Sequence, residues 1–203
     1  MASSFTRSAV ATFATLTLLA LIVAAQSLVP DETLATEPIA SSGDIGEPVD
    51  AGQFSITVQE VRFAETVADK DGFGTSGPIE ANGVWLVAGV RITSASAPLT
   101  NVDAELVMDD GYVYSANGWL SNGLSGGLGT TLEAGIPVAG MLVFEVPEDR
   151  ISAPVLQVNA RESIDDRLSA RADIDLGLSG TELDERLSQP EERIDVPAPA
   201  KTS

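Results

Sequence analysis

The chain has no histidine and no cysteine among its 203 residues. Without histidine there is no imidazole to act as general base, which excludes Ser-His-Asp triads, Cys-His dyads and histidine proton relays. Without cysteine there is no disulfide, no thiolate nucleophile, no iron–sulfur cluster and no lipid attachment through a lipoprotein cysteine. With both missing, no zinc site can be built from thiolates or imidazoles. Positive charge is also scarce, with 11 Lys+Arg against 30 Asp+Glu and a formal charge of -19. Nucleic-acid binding needs a basic stripe to displace counterions, so nucleic acid is not an expected partner. Aromatic residues make up only 5% of the chain, which makes each one easier to account for.

One long uncharged run stands out. From Ser8 to Pro30 no residue is charged, and its centre runs from Leu16 to Ala25 through Leu18, Leu19, Leu21, Ile22 and Val23. A run of about 20 mostly apolar residues matches the hydrocarbon thickness of a bilayer. Arg7 precedes it, and Asp31 and Glu32 follow. The positive-inside rule then puts residues 1–7 in the cytoplasm and the chain after Val29 outside. Two readings stay open. One is an uncleaved signal anchor, a transmembrane helix over residues 8–29. The other is a signal peptide cleaved near Val23-Ala24-Ala25 or Ala25-Gln26-Ser27. The anchor is favoured because the run exceeds the roughly 7–15 apolar residues of a signal-peptide core. Only Arg7 of the 11 basic residues, and none of the 30 acidic ones, precede Asp31. Ten basic against thirty acidic residues leave the exported part at -20.

Residues 30–50 are rich in Pro, Ser, Gly and acids and show no sustained period, as expected of a disordered acidic spacer. From Gly52 the pattern changes. Phe54, Ile56 and Val58 alternate with polar residues, and Val61 and Phe63 continue one residue out of phase, so a strand with a bulge near Gln59 is expected. Val84 to Ile92 is nearly all apolar, as in a central strand covered on both faces. Val102, Ala104, Leu106 and Met108 share one face of a further strand, and Asp109-Asp110-Gly111 then signals a hairpin turn. Ala139–Val146, Val155–Val158 and Arg171–Leu178 are the remaining strand candidates. About seven short strands with no helical crossover point to an all-β antiparallel sandwich over residues 51–178. Residues 179–203 read as an acidic, mostly disordered tail, with one or two helical turns over Thr181–Leu187.

Gly72-Phe73-Gly74-Thr75-Ser76-Gly77 has the spacing of a dinucleotide-binding glycine loop, but Pro78 follows where a helix should begin. Asp69, Asp71 and Glu80 fall at positions 1, 3 and 12 of a calcium loop, with Gly74 at the turn position. Phe73 occupies what should be a ligand position and no helices flank the loop, so at most a weak calcium site between strands is expected there. Neighbouring carboxylates such as Asp109/Asp110 and Glu148/Asp149 sit at turns, where Asp favours the local geometry. Trp85 belongs to the most apolar strand and reads as core. Trp119 lies in the Gly-rich segment 117–131 and is the candidate recognition residue, for a partner protein or a sugar ring.

Two segments carry a family resemblance: Gly83-Val84-Trp85-Leu86-Val87-Ala88-Gly89-Val90-Arg91-Ile92-Thr93, and Leu132-Glu133-Ala134-Gly135 leading to Gly140–Pro147. Together with Asp110-Gly111 before Tyr112, they resemble the telokin-like, immunoglobulin-like DUF4352 group over roughly residues 50–178. That resemblance implies an immunoglobulin-like, non-enzymatic domain on an exported or membrane-attached bacterial protein. It brings no catalytic residues. The expected function is therefore an interaction or accessory module at the cell envelope, anchored by the N-terminal helix, with an unknown and basic protein partner. The alternatives are a calcium- or carbohydrate-binding module, or a cleaved secreted protein.

Overall fold

A computed structural model of the chain describes residues 15–19, 38–70, 77–100, 102–125, 131–160 and 169–202. They fall into two units, Met1–Glu37 and Pro38–Ser203. In the first unit residues 15–19 are helical, with Leu16, Leu18 and Leu19 exposed. The rest of the apolar run over 8–29 lies outside the described residues. Among those described, no helix is long and apolar enough to cross a membrane.

The second unit is an all-β sandwich of two sheets. Its strands are β1 Ile39–Asp44, β2 Val49–Asp50, β3 Phe54–Asp69, β4 Ile79–Ser94, β5 Val102–Val107, β6 Val113–Ser115, β7 Val138–Val146, β8 Val155–Ala160, β9 Ala170–Asp175, β10 Glu191–Val196 and β11 Ala200–Lys201. One helix, α1 Gly180–Leu187, precedes β10. The first sheet has the order β1-β9-β8-β5-β6. The second has the order β10-β3-β4-β7-β11, with β2 paired to β3. Pairing is antiparallel except for β1 beside β9 and β10 beside β3.

Alternation explains how the sheets meet. Phe54, Ile56 and Val58 of β3, Leu86, Val90 and Ile92 of β4, and Leu142 and Phe144 of β7 point to one side. Ala104 and Leu106 of β5, Leu156 and Val158 of β8, and Ala172 and Ile174 of β9 meet them from the other sheet. This side-by-side burial is the inter-sheet core. The register slips between Val58 and Glu60, so Gln59 is the bulge that the phase shift predicted. The expected turn closes β5 onto β6, with Gly111 at φ 85, where a side chain would be strained. Gly83 is required for a different reason: a Cβ there would lie 2.4 Å from the Val146 carbonyl oxygen.

The expected apolar central strand is β4, hydrogen-bonded on both edges and buried on both faces. Its outward residues Trp85 and Val87 form a second buried cluster with Ala64, Val67, Leu120, Val143, Ile194 and Val196. The Trp85 indole N–H donates to the Ile79 carbonyl at 3.0 Å, so the buried ring has its polar atom satisfied.

Three expectations are corrected. The described sandwich has eleven strands, more than the seven or so expected. Part of the supposed spacer is sheet: β1 holds an edge by backbone pairing with β9 while exposing or half-exposing its small polar side chains. Backbone hydrogen bonds need no apolar alternation, which is why the sequence pattern is silent there. The acidic tail is likewise ordered. Leu183 of α1 is buried in the inter-sheet core, while Ile194 and Val196 of β10 cover the outer cluster. Ser179 occupies the N-terminal cap position of α1, without a side-chain capping hydrogen bond.

Candidate functional site

The described part of the Gly-rich segment after β6, residues 117–125, is held at several points. Asn117 donates its backbone N–H to the Val143 carbonyl at 2.7 Å, and its side-chain oxygen accepts the Trp119 N–H at 2.7 Å. This second bond is an Asx-turn, in which the side chain mimics backbone. Leu120 is buried in the outer cluster beside Trp85. The Ser121 and Asn122 backbone N–H groups donate to the two carboxylate oxygens of Asp69, both at 2.9 Å. The Asn122 side-chain amide donates to the Lys70 and Val196 carbonyls at 3.0 and 2.8 Å. Leu124 then donates its N–H to Met141 at 3.0 Å.

Within this fixed segment Trp119 is 82% exposed. Leaving so large a ring in water forgoes burial on the order of 2–3 kcal/mol. Asn117 before it and Leu120 after it are both held, so the outward placement is set by the fold.

Trp119 stands at a groove of about 730 Å³ with Pro78 just before β4, Glu80 and Asn82 from its start, Asn117, and Glu145 of β7. Glu145 is fixed by its own hydrogen bonds. One of its carboxylate oxygens accepts both the backbone and side-chain N–H groups of Asn82, at 2.8 and 2.9 Å. Glu80 is exposed, and its carboxylate has no hydrogen-bond or ion-pair partner among the described residues. The lining thus offers an aromatic face, two carboxylates and two side-chain amides, and no Lys or Arg among the described residues. Chemically this is a surface for a cation or a hydroxyl-rich ligand.

The sequence-derived candidates divide. Glu80 and Trp119, read for different purposes, share this groove. Asp69 is occupied instead in holding the loop amides, a structural role for the residue expected as a calcium ligand. Asp71 lies outside the described residues, and among those described no group of three acidic side chains is arranged to hold a metal. Sequence reasoning missed Asn82, Glu145 and Asn122. The Asn-Gly pairs at 117–118 and 122–123 do signal turns, but the partner of Glu145 is visible only once β4 and β7 are in register.

The second unit is thus a two-sheet β-sandwich domain with an aromatic groove at a loop. The chain belongs to the DUF4352 family: the model of "Domain of unknown function (DUF4352)" matches residues 43–164, more than half of the chain. Among solved structures it is similar to the yjhA protein of Bacillus subtilis, at 19% identity over 65% of this chain and 99% of that chain, with a TM-score of 0.46. It is also similar to an uncharacterized beta-sandwich protein from Clostridium difficile 630, at 15% identity over 68% of this chain and 95% of that one, TM-score 0.38. A third is the secreted protein MPT63 of Mycobacterium tuberculosis, at 16% identity over 68% and 98%, TM-score 0.40. No curated protein matches the sequence.

Proposed function

We propose that the protein is a non-enzymatic, extracytoplasmic immunoglobulin-like module, held at the membrane by its N-terminal apolar segment, that binds a basic protein at the cell envelope. The observation that carries this reading is Trp119, held 82% exposed beside Glu80 and Glu145 by a loop with little freedom to withdraw it. Exposed aromatics fixed on loops are favoured as anchors in binding interfaces. The charge of -20 beyond the apolar run supports a basic partner and a salt-sensitive association. The lack of histidine and cysteine supports a role without acid–base or thiol chemistry.

The test is site-directed photocrosslinking in membranes. A benzophenone side chain replaces Trp119, or, as a control, the exposed Tyr112 away from the groove. A discrete adduct from position 119, absent from position 112 and lost in high salt, is the expected result. No adduct from position 119 at low salt would sink the proposal. A carbohydrate ligand is the second reading, favoured by the same indole face flanked by the amides of Asn82 and Asn117.

A further inference from the structure

We propose that the groove takes an arginine side chain of the partner, its guanidinium stacked on the Trp119 indole and paired with Glu80 and Glu145. This deepens the interaction reading above and rests on it.

The first argument is charge complementarity. Two carboxylates face one groove with no cation among its described lining residues. Six of the 11 basic residues are committed elsewhere. Arg62, Arg150, Arg171, Arg186, Arg193 and Lys201 each pair with an acid outside the groove. The described lining of the groove itself supplies no cation to its carboxylates. The second argument is desolvation. A neutral ligand covering Glu80 and Glu145 would strip water from two carboxylates without supplying a counter-charge. A cation removes that penalty.

The third argument is shape. The indole is the best aromatic face for a cation, and a planar guanidinium stacks on it while its edge N–H groups still reach carboxylates. An ammonium is a point charge and uses the ring less well. Glu145 is preorganised for this. Asn82 occupies one carboxylate oxygen and fixes the other's direction. The loop likewise holds the Trp119 backbone before any ligand arrives, which lowers the entropy lost on binding.

The chain has only two tryptophans, one buried and one exposed, which gives a site-resolved readout. The full chain, labelled with 5-fluorotryptophan and kept in zwitterionic detergent, is titrated with the peptide acetyl-Gly-Arg-Gly-amide and followed by fluorine NMR. Lysine in place of arginine, and chitotriose, are the comparison ligands. The Trp119 resonance should shift saturably with the arginine peptide while Trp85 stays still. The lysine peptide should bind several-fold more weakly, and about 0.5 M salt should weaken both.

Glu80→Gln with Glu145→Gln keeps the side-chain shapes and the oxygen that accepts from Asn82. That pair should lower affinity about tenfold. Glu80→Gln alone removes no contact within the described residues, so it serves if the double variant does not fold. A Trp119 shift that survives both variants unchanged would mean diffuse attraction to an acidic surface, and would overturn the proposal. A shift with chitotriose and none with arginine would overturn it in favour of a sugar. No shift with arginine, while position 119 still crosslinks a partner, would remove the arginine chemistry and leave the interaction module standing.

Discussion

The second sheet carries buried clusters on both faces, and they are built differently. Between the sheets, most of the packing is strand against strand, Leu86, Ile92 and Phe144 meeting Leu106, Leu156 and Ile174, with Leu183 of α1 and Leu124 added to it. On the outer face, Trp85, Val87 and Val143 are covered by a loop residue, Leu120, and by Ile194 and Val196 of β10. The inner core holds the fold together. The outer cluster fixes the segments that display the groove, because Leu120 is the residue next to Trp119. Stability and recognition thus meet in the smaller cluster.

Four substitutions would break or sharpen that contrast. Phe144→Ala, in the inner core, should cost the most, about 3–5 kcal/mol in denaturant melts. Leu120→Ala, in the outer cluster, should cost about 2–3 kcal/mol. It should also blue-shift or broaden the Trp119 signal as the loop loses its anchor. If Leu120→Ala leaves stability untouched, the outer cluster is not a core.

Glu191→Gln tests how β10 is held onto β3. Arg62 of β3 donates Nε–H to Glu191 at 2.6 Å, with a second, shorter contact between the same two groups. That hydrogen bonding holds the Glu191 carboxyl below its ordinary value of 4.5 and raises Arg62, with burial opposing both. A depressed carboxylate contributes stability above its unfolded value and loses it as pH falls through the folded one. The wild type should therefore lose this contribution below about pH 4.5. The variant should lack it at neutral pH, by no more than about 1 kcal/mol since the pair is partly exposed. A variant whose acid limb superimposes on the wild type at every pH would refute the coupling. Trp119→Ala should have the smallest effect on melting, under about 0.5 kcal/mol. A larger loss would mean that the ring supports the loop instead of being presented by it.

Legibility in the sequence follows the same divide. The bulge at Gln59, the doubly covered β4, the shared face of Val102, Ala104, Leu106 and Met108, and the turn at Gly111 all rest on local alternation or turn chemistry. These features are present in the structure. β1 and β10 were not legible. The Ile-Ala-Ser-Ser-Gly-Asp of β1 has almost no apolar face, and Glu-Glu-Arg-Ile-Asp-Val places only two apolar residues. Both strands join by parallel backbone pairing with residues far away in the chain, a long-range fact that composition does not encode. Trp119 and Glu80 were visible singly. Their meeting depends on where the 117–125 segment is tied down, and Asp69, the residue that does much of the tying, carries the same side chain that a calcium loop would require.

The pairing of β1 with β9 has a mechanical side. Six residue pairs, Ile39 with Ala170 through Asp44 with Asp175, run in the same direction. Tension entering the domain at Ile39 and resisted beyond the end of β9 loads those pairs in shear, all together. An antiparallel hairpin pulled from its open end would instead unzip one rung at a time. The domain is thus fastened to its own leading segment by a joint that yields only as a whole.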